Sequence, residues 1–144
     1  MQIRFVAFVT CCLLFVAGCT THKVIFLGSP LQPAADGKAK VRLDRNLNTL
    51  VKLKLEHIAP ADKLWPPRVL YVVWAEDTEG QIFQLGKLQV NERRQAYFNG
   101  TTALERFRLV ITAEDEPRPE QPSQPYMLAT DFFSAKRGWL DLPR

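Results

Sequence analysis

The side chains downstream of residue 19 that could move a proton, attack a carbonyl or hold a metal are few. Two histidines, His22 and His57, and three serines, Ser29, Ser123 and Ser134, are the only candidates for a serine–histidine–acid arrangement. Each serine lies beside proline or in a loop, and none sits in the glycine-flanked elbow that exposes a nucleophilic serine. All three cysteines, Cys11, Cys12 and Cys19, fall in the first nineteen residues. A cysteine–histidine pair or a His/Cys zinc set therefore has no ligands in the domain. Carboxylates cluster at Glu76, Asp77 and Glu79, and again at Glu114, Asp115 and Glu116. Such runs supply oxygen ligands of the kind calcium takes, but at strand ends they read first as solvated turns. No glycine loop of the phosphate-cradling kind exists, so no cofactor is expected and the chain reads as a non-enzyme. Two tryptophans stand out instead. Trp65 in Lys63-Leu64-Trp65-Pro66-Pro67 and Trp139 in Gly138-Trp139-Leu140 are candidate partner contacts, because tryptophan dominates interface hot spots. The alternative is that both cover the ends of a core.

The elements that must position these residues read as strands. From Leu50 to Ile58, Val51, Leu53 and Leu55 alternate with Lys52, Lys54 and Glu56, the 180° period of a half-buried strand. Lys38–Asp44 and Leu104–Asp115 alternate in the same way, the latter with Phe107, Leu109 and Ile111 inward. Arg68–Ala75 is apolar on both faces and suits a strand buried on both sides, with Trp74 in the core. Gln81–Val90, Arg93–Phe98 and Tyr126–Phe133 complete the set, with a bulge expected at Gly86. Turns are expected at Asp44-Arg45-Asn46, at Glu76 to Gly80 and at Asn99-Gly100. The proline-rich runs 59–67 and 116–125 are loops. Seven or so strands without a convincing helix predict an all-β fold, an antiparallel immunoglobulin-like β-sandwich following an N-terminal signal peptide. A small barrel is the alternative.

The start of the chain carries its most specific signal. Arg4 precedes an uncharged, almost wholly apolar run from Phe5 to Ala17, thirteen residues long. That length fits a signal-peptide core and falls short of the roughly 20 residues of a membrane-spanning helix. The run ends in Val16-Ala17-Gly18-Cys19, which resembles the bacterial lipobox. The resemblance implies cleavage before Cys19 and attachment of acyl chains to it, which would spend the last thiol of the mature chain. Several chains on one residue hold a protein at a membrane, since each buried methylene contributes about 0.8 kcal/mol. Thr20 stands where an Asp would suggest inner-membrane retention, so the outer membrane is favoured.

The organisation expected is a signal peptide over 1–18, a lipidated tether over 19–37, a sandwich domain over 38–133 and a C-terminal tail over 134–144. Within the tether, Val24-Ile25-Phe26-Leu27 is either spacer or an edge strand. The mature chain keeps 18 basic against 15 acidic residues, interleaved along its length, which argues against a nucleic-acid footprint. Tyr71-Val72-Val73-Trp74, Leu85-Gly86-Lys87-Leu88 and Val110-Ile111-Thr112-Ala113-Glu114 together resemble the extracytoplasmic C-terminal β-domain of anti-sigma-K type factors, over roughly Val69 to Leu128. That family has Gly-Gly-Ser where this chain has Asp115-Glu116-Pro117, so the resemblance implies a fold and does not extend to sigma-factor control. The expected function is that of a non-catalytic binding or structural lipoprotein of the cell envelope, with the membrane and an envelope protein as partners. A carbohydrate- or small-ligand-binding role is the alternative.

Overall fold

A computed structural model describes residues 22–27 and 29–135. Its strands are β1 (His22–Leu27), β2 (Asp36–Leu43), β3 (Thr49–Glu56), β4 (Leu70–Asp77), β5 (Ile82–Val90), β6 (Ala96–Thr102), β7 (Arg106–Glu114), β8 (Leu128–Thr130) and β9 (Phe133–Ser134). The ladders run β4-β5-β6-β3-β2-β1-β8-β7, and β7 pairs in turn with β4 from Leu70↔Glu114 to Asp77↔Phe107. Eight antiparallel strands thus form a closed barrel, with β9 continuing along β7 beyond β8. The all-β antiparallel class is the one expected. The sheet closes on itself where an immunoglobulin-like sandwich would leave two separate sheets. Closure comes from β1 and β5, each of which pairs with one neighbour along its first part and another along its last.

Burial follows the side-chain parity of each strand. In β3, Val51, Leu53 and Leu55 point into the barrel while Lys52 and Lys54 face water. In β4 and β7 both faces are covered. Tyr71, Val73 and Ala75 meet Phe107, Leu109 and Ile111 inside the barrel. Val72, Trp74 and Val110 form a second, smaller cluster on the outer face, covered by Leu70, Ile82, Tyr126 and Ala129. Trp74 is therefore buried, 2% exposed, but in this outer cluster and not within the barrel. A β-bulge interrupts the β4–β5 register between Val73↔Gly86 and Trp74↔Gln84, at the expected place.

Three hairpin loops share one construction. Asp44, Asp77 and Asn91 each accept two backbone N–H groups through one side-chain oxygen, from the residues two and four positions on. The fourth residue of each loop, Leu47, Gly80 and Arg94, has positive φ. This is the three-residue hairpin connection that places its last residue in the left-handed region. The turn expected at Asn99-Gly100 lies instead inside β6, where Gly100 pairs with Val51 and Phe98 folds its ring over the space a Cβ at Gly100 would fill. The chain leaves β6 only after Thr102, whose hydroxyl accepts from the Leu104 amide.

The expected tether is also redrawn from His22 onward. β1 pairs with β2 through His22–Ile25 and with β8 through Phe26 and Leu27, and Phe26, Gln32 and Ala35 are buried. β2 starts at Asp36, two residues before the expected domain boundary. At the far end, Ser134 pairs with Arg106 and Ala135 is buried, so the start of the expected tail also belongs to the barrel. Cys19, the segment before it and Trp139 lie outside the described residues.

Candidate functional site

The loops sort onto the two ends of the barrel. One end carries the start of β1 at His22 and the turns after β2, β4 and β6. The other carries the segments 29–35, 57–69, 91–95 and 115–127, because β3 ends and β4 begins there. At this second end a buried polar plug closes the core. The Tyr71 hydroxyl donates to the Ala59 carbonyl at 2.7 Å and accepts from Gln32 Nε2 at 3.0 Å, while Gln32 Oε1 accepts from the Ala59 amide at 3.1 Å. Burial pushes the Tyr71 phenol up to about 12, with the hydrogen bond from Gln32 opposing and the charge of Asp62 adding to the rise.

Beside the plug lies a pocket of about 160 Å³, walled by Leu31, Leu64, Trp65, Arg68, Pro125 and Met127, among others. Trp65 stands at its edge 93% exposed, with Leu31 of the same lining also exposed. The ring has no side-chain hydrogen bond among the described residues. Its loop is fixed from beneath: the Arg68 amide donates to the Ala61 carbonyl, and Ala61 is buried in the core. Arg68 reaches Asp115 at 2.6 Å, which places a polar pair against an apolar wall.

The opposite wall is supplied by the proline-rich segment, and a buried carboxylate holds it there. Glu114, 3% exposed, accepts from the Ser123 amide at 2.8 Å and the Ser123 hydroxyl at 2.6 Å, and also from the Thr112 hydroxyl. Thr112 in turn accepts from the Trp74 indole at 2.8 Å. Farther along the same outer face, Glu76 and Arg108 form a bidentate pair with contacts of 2.8–3.0 Å, and the guanidinium lies over Tyr126 and Phe132.

The two acidic clusters thus come apart into separate duties. Glu76 pairs with Arg108, Asp77 shapes a turn, Glu114 tethers Ser123 and Asp115 meets Arg68. Among the described residues no three His, Cys, Asp or Glu side chains converge as a metal site would need. His57 follows the end of β3 at positive φ, exposed, with Nδ1 3.0 Å from Asp36. Ser123 faces a carboxylate, and Ser29 accepts from the Leu31 amide. Of the two sequence candidates for a contact, only Trp65 falls within the described residues, and the pocket gathers round it. Sequence reasoning missed Leu31, Arg68 and Met127 as its neighbours. Their one visible signal was the density of proline in the loops on either side. Compared with known proteins, the chain matches no family model, no curated protein and no solved structure.

Proposed function

We propose that this protein is a lipid-anchored, extracytoplasmic and non-catalytic binding module of the bacterial cell envelope, which meets its partner through the Trp65 end of the barrel. The lipobox-like Val16-Ala17-Gly18-Cys19 supports the anchor, and outer-membrane placement follows from Thr20. The observation that carries the binding role is Trp65 itself. A tryptophan 93% exposed forfeits burial, which would stabilise a fold by a few kcal/mol, and this one borders an apolar pocket. The end it occupies is the one opposite to His22, so a chain anchored through Cys19 presents the pocket away from its attachment. The barrel would then serve as an immunoglobulin-like domain does, with strands as scaffold and end loops as contact surface. Kinship with the C-terminal domain of anti-sigma-K type factors accords with the strand motifs over Val69 to Leu128.

A carbohydrate or other small ligand is the second reading, favoured by the polar Arg68–Asp115 pair beside an open indole face. Fatty-acid labelling and envelope crosslinking test both. Label is expected on the wild type and not on Cys19→Ala. A discrete crosslinked protein is expected that Trp65→Ala loses while the lipid label stays. Retention of the crosslink by Trp65→Ala would reject the Trp65 end as the contact. Saccharide-dependent quenching of Trp65 emission, without a crosslinked protein, would select the second reading.

A further inference from the structure

The outer face of β1, β2 and β3 is a basic surface of unusual arrangement. Register places Lys23 opposite Lys40 and Lys40 opposite Lys52, a row of three lysines across three strands. The next row sets Lys38 opposite Lys54, and Arg42 extends the face towards the His22 end. All six cations are exposed, and among the described residues only Lys54 is in an ion pair, with Glu56 at 2.7 Å. Like charges directly opposite one another destabilise a sheet. This face accepts that cost at three pairs, and its two acidic residues, Asp36 and Glu56, sit opposite each other at the end away from His22. In its midst Ile25, opposite Lys38, is 63% exposed.

We propose that this face lies against an anionic phospholipid surface, with the lysines over phosphate groups and Ile25 at the interface between headgroups and acyl chains. Charge complementarity and the place of the chain's start both select this occupant. Three residue steps separate Cys19 from His22 and span about 10 Å when extended. The screening length at physiological salt is about 8 Å, comparable with that fullest extension, so an anchor at Cys19 keeps the start of β1 near the surface charge. That distance rests on the reading of Cys19 as acylated; the charge pattern does not.

The test uses residues 20–144, which lack Cys19 and contain every described strand. The chain is sedimented with vesicles of equimolar phosphatidylcholine and phosphatidylglycerol, and with vesicles of phosphatidylcholine alone. Binding to the anionic vesicles only, weakened by salt, is expected. A lysine near an anionic surface is worth about fivefold in partitioning, so Lys40→Gln with Lys52→Gln lowers it about 25-fold. The same double variant relieves cross-strand repulsion, so its melting temperature stays level or rises, which separates lost binding from lost folding. Equal binding to both vesicle types, no binding to either, or an unchanged double variant overturns the proposal. So does binding to a soluble polyanion such as heparin with none to vesicles. Acyl labelling at Cys19 is read independently: label without vesicle binding rejects the face alone, and vesicle binding without label rejects the anchor alone.

Discussion

Replacing Tyr71 by Phe removes one oxygen from the plugged end of the barrel and turns its burial into a pH-dependent measurement. Tyr71 is 1% exposed and its hydroxyl bridges the Ala59 carbonyl and Gln32. At neutral pH, Tyr71→Phe leaves that carbonyl and the Gln32 amide short of a partner, a loss of about 1–3 kcal/mol. Burial pushes the wild-type phenol up to about 12 in the fold, from its ordinary value of 10.0. Between those values the folded chain keeps a proton that the unfolded chain has lost, so stability falls as pH rises. Below pH 10 the contribution is fully present, and above 12 it is gone. A shift of about two pH units sets the total at about 3 kcal/mol, with half of it lost near pH 11. Urea denaturation of wild type and Tyr71→Phe in parallel, from pH 8 to 12, isolates this group from the lysines that titrate nearby. The stability gap between the two should shrink by that amount, closing or reversing at the alkaline end. A gap that stays constant over the whole range would refute the buried hydroxyl and with it the plug.

Two further substitutions probe the loops. Glu114→Ala leaves the Ser123 amide, the Ser123 hydroxyl and the Thr112 hydroxyl without their shared acceptor and should cost about 3 kcal/mol; Trp74 emission should shift to the red as segment 115–127 loosens, and unchanged emission would mean that Glu114 does not hold that segment. Leu47→Gly should stabilise the protein by about 0.5–1 kcal/mol, because Leu47 is exposed at φ 64 where a Cβ is strained; destabilisation measured by denaturant would contradict the positive-φ turn.

What the sequence disclosed was whatever local period and local turn chemistry encode. The alternation in β3 and the two-sided apolar character of Arg68–Ala75 each correspond to an observed burial pattern. The Asp44 and Asp77 turns are legible because one acidic side chain can satisfy two nearby amides. The Asn91 turn uses the same chemistry. Asn99-Gly100 reads as a turn on composition alone, and seeing it as strand requires knowing that Phe98 needs the space over Gly100. Ring closure has no local signature. The β4–β7 ladder joins residues 30 to 44 positions apart, and two doubly apolar strands fit a sandwich interior as well as adjacent places in a barrel. Val24 to Leu27 was ambiguous for a related reason, since a short strand that changes partners midway shows neither a clean alternation nor a long apolar run.

The second apolar cluster explains why the candidate site is where it is. A strand covered on both faces needs something to cover the outer one, and a barrel offers no second sheet. Here segment 115–127 supplies part of the cover through Tyr126, and its prolines restrict it to extended conformations that cross a sheet without adding a strand. Such a segment contributes few backbone hydrogen bonds, so its position has to come from side chains, and Glu114 supplies the strongest of them through Ser123. The residues just beyond that tie, Gln124, Pro125 and Met127, then form one wall of the pocket at Trp65. The pocket is thus the margin of a lid that the apolar face of β4 and β7 makes necessary. An occupant at Trp65 would press on the same segment that covers Trp74, some nine residues away from Trp65 in sequence but on the other side of the wall. Emission from Trp74 should therefore respond to binding at the pocket in a Trp65→Phe, Trp139→Phe background, where Trp74 is the one tryptophan left.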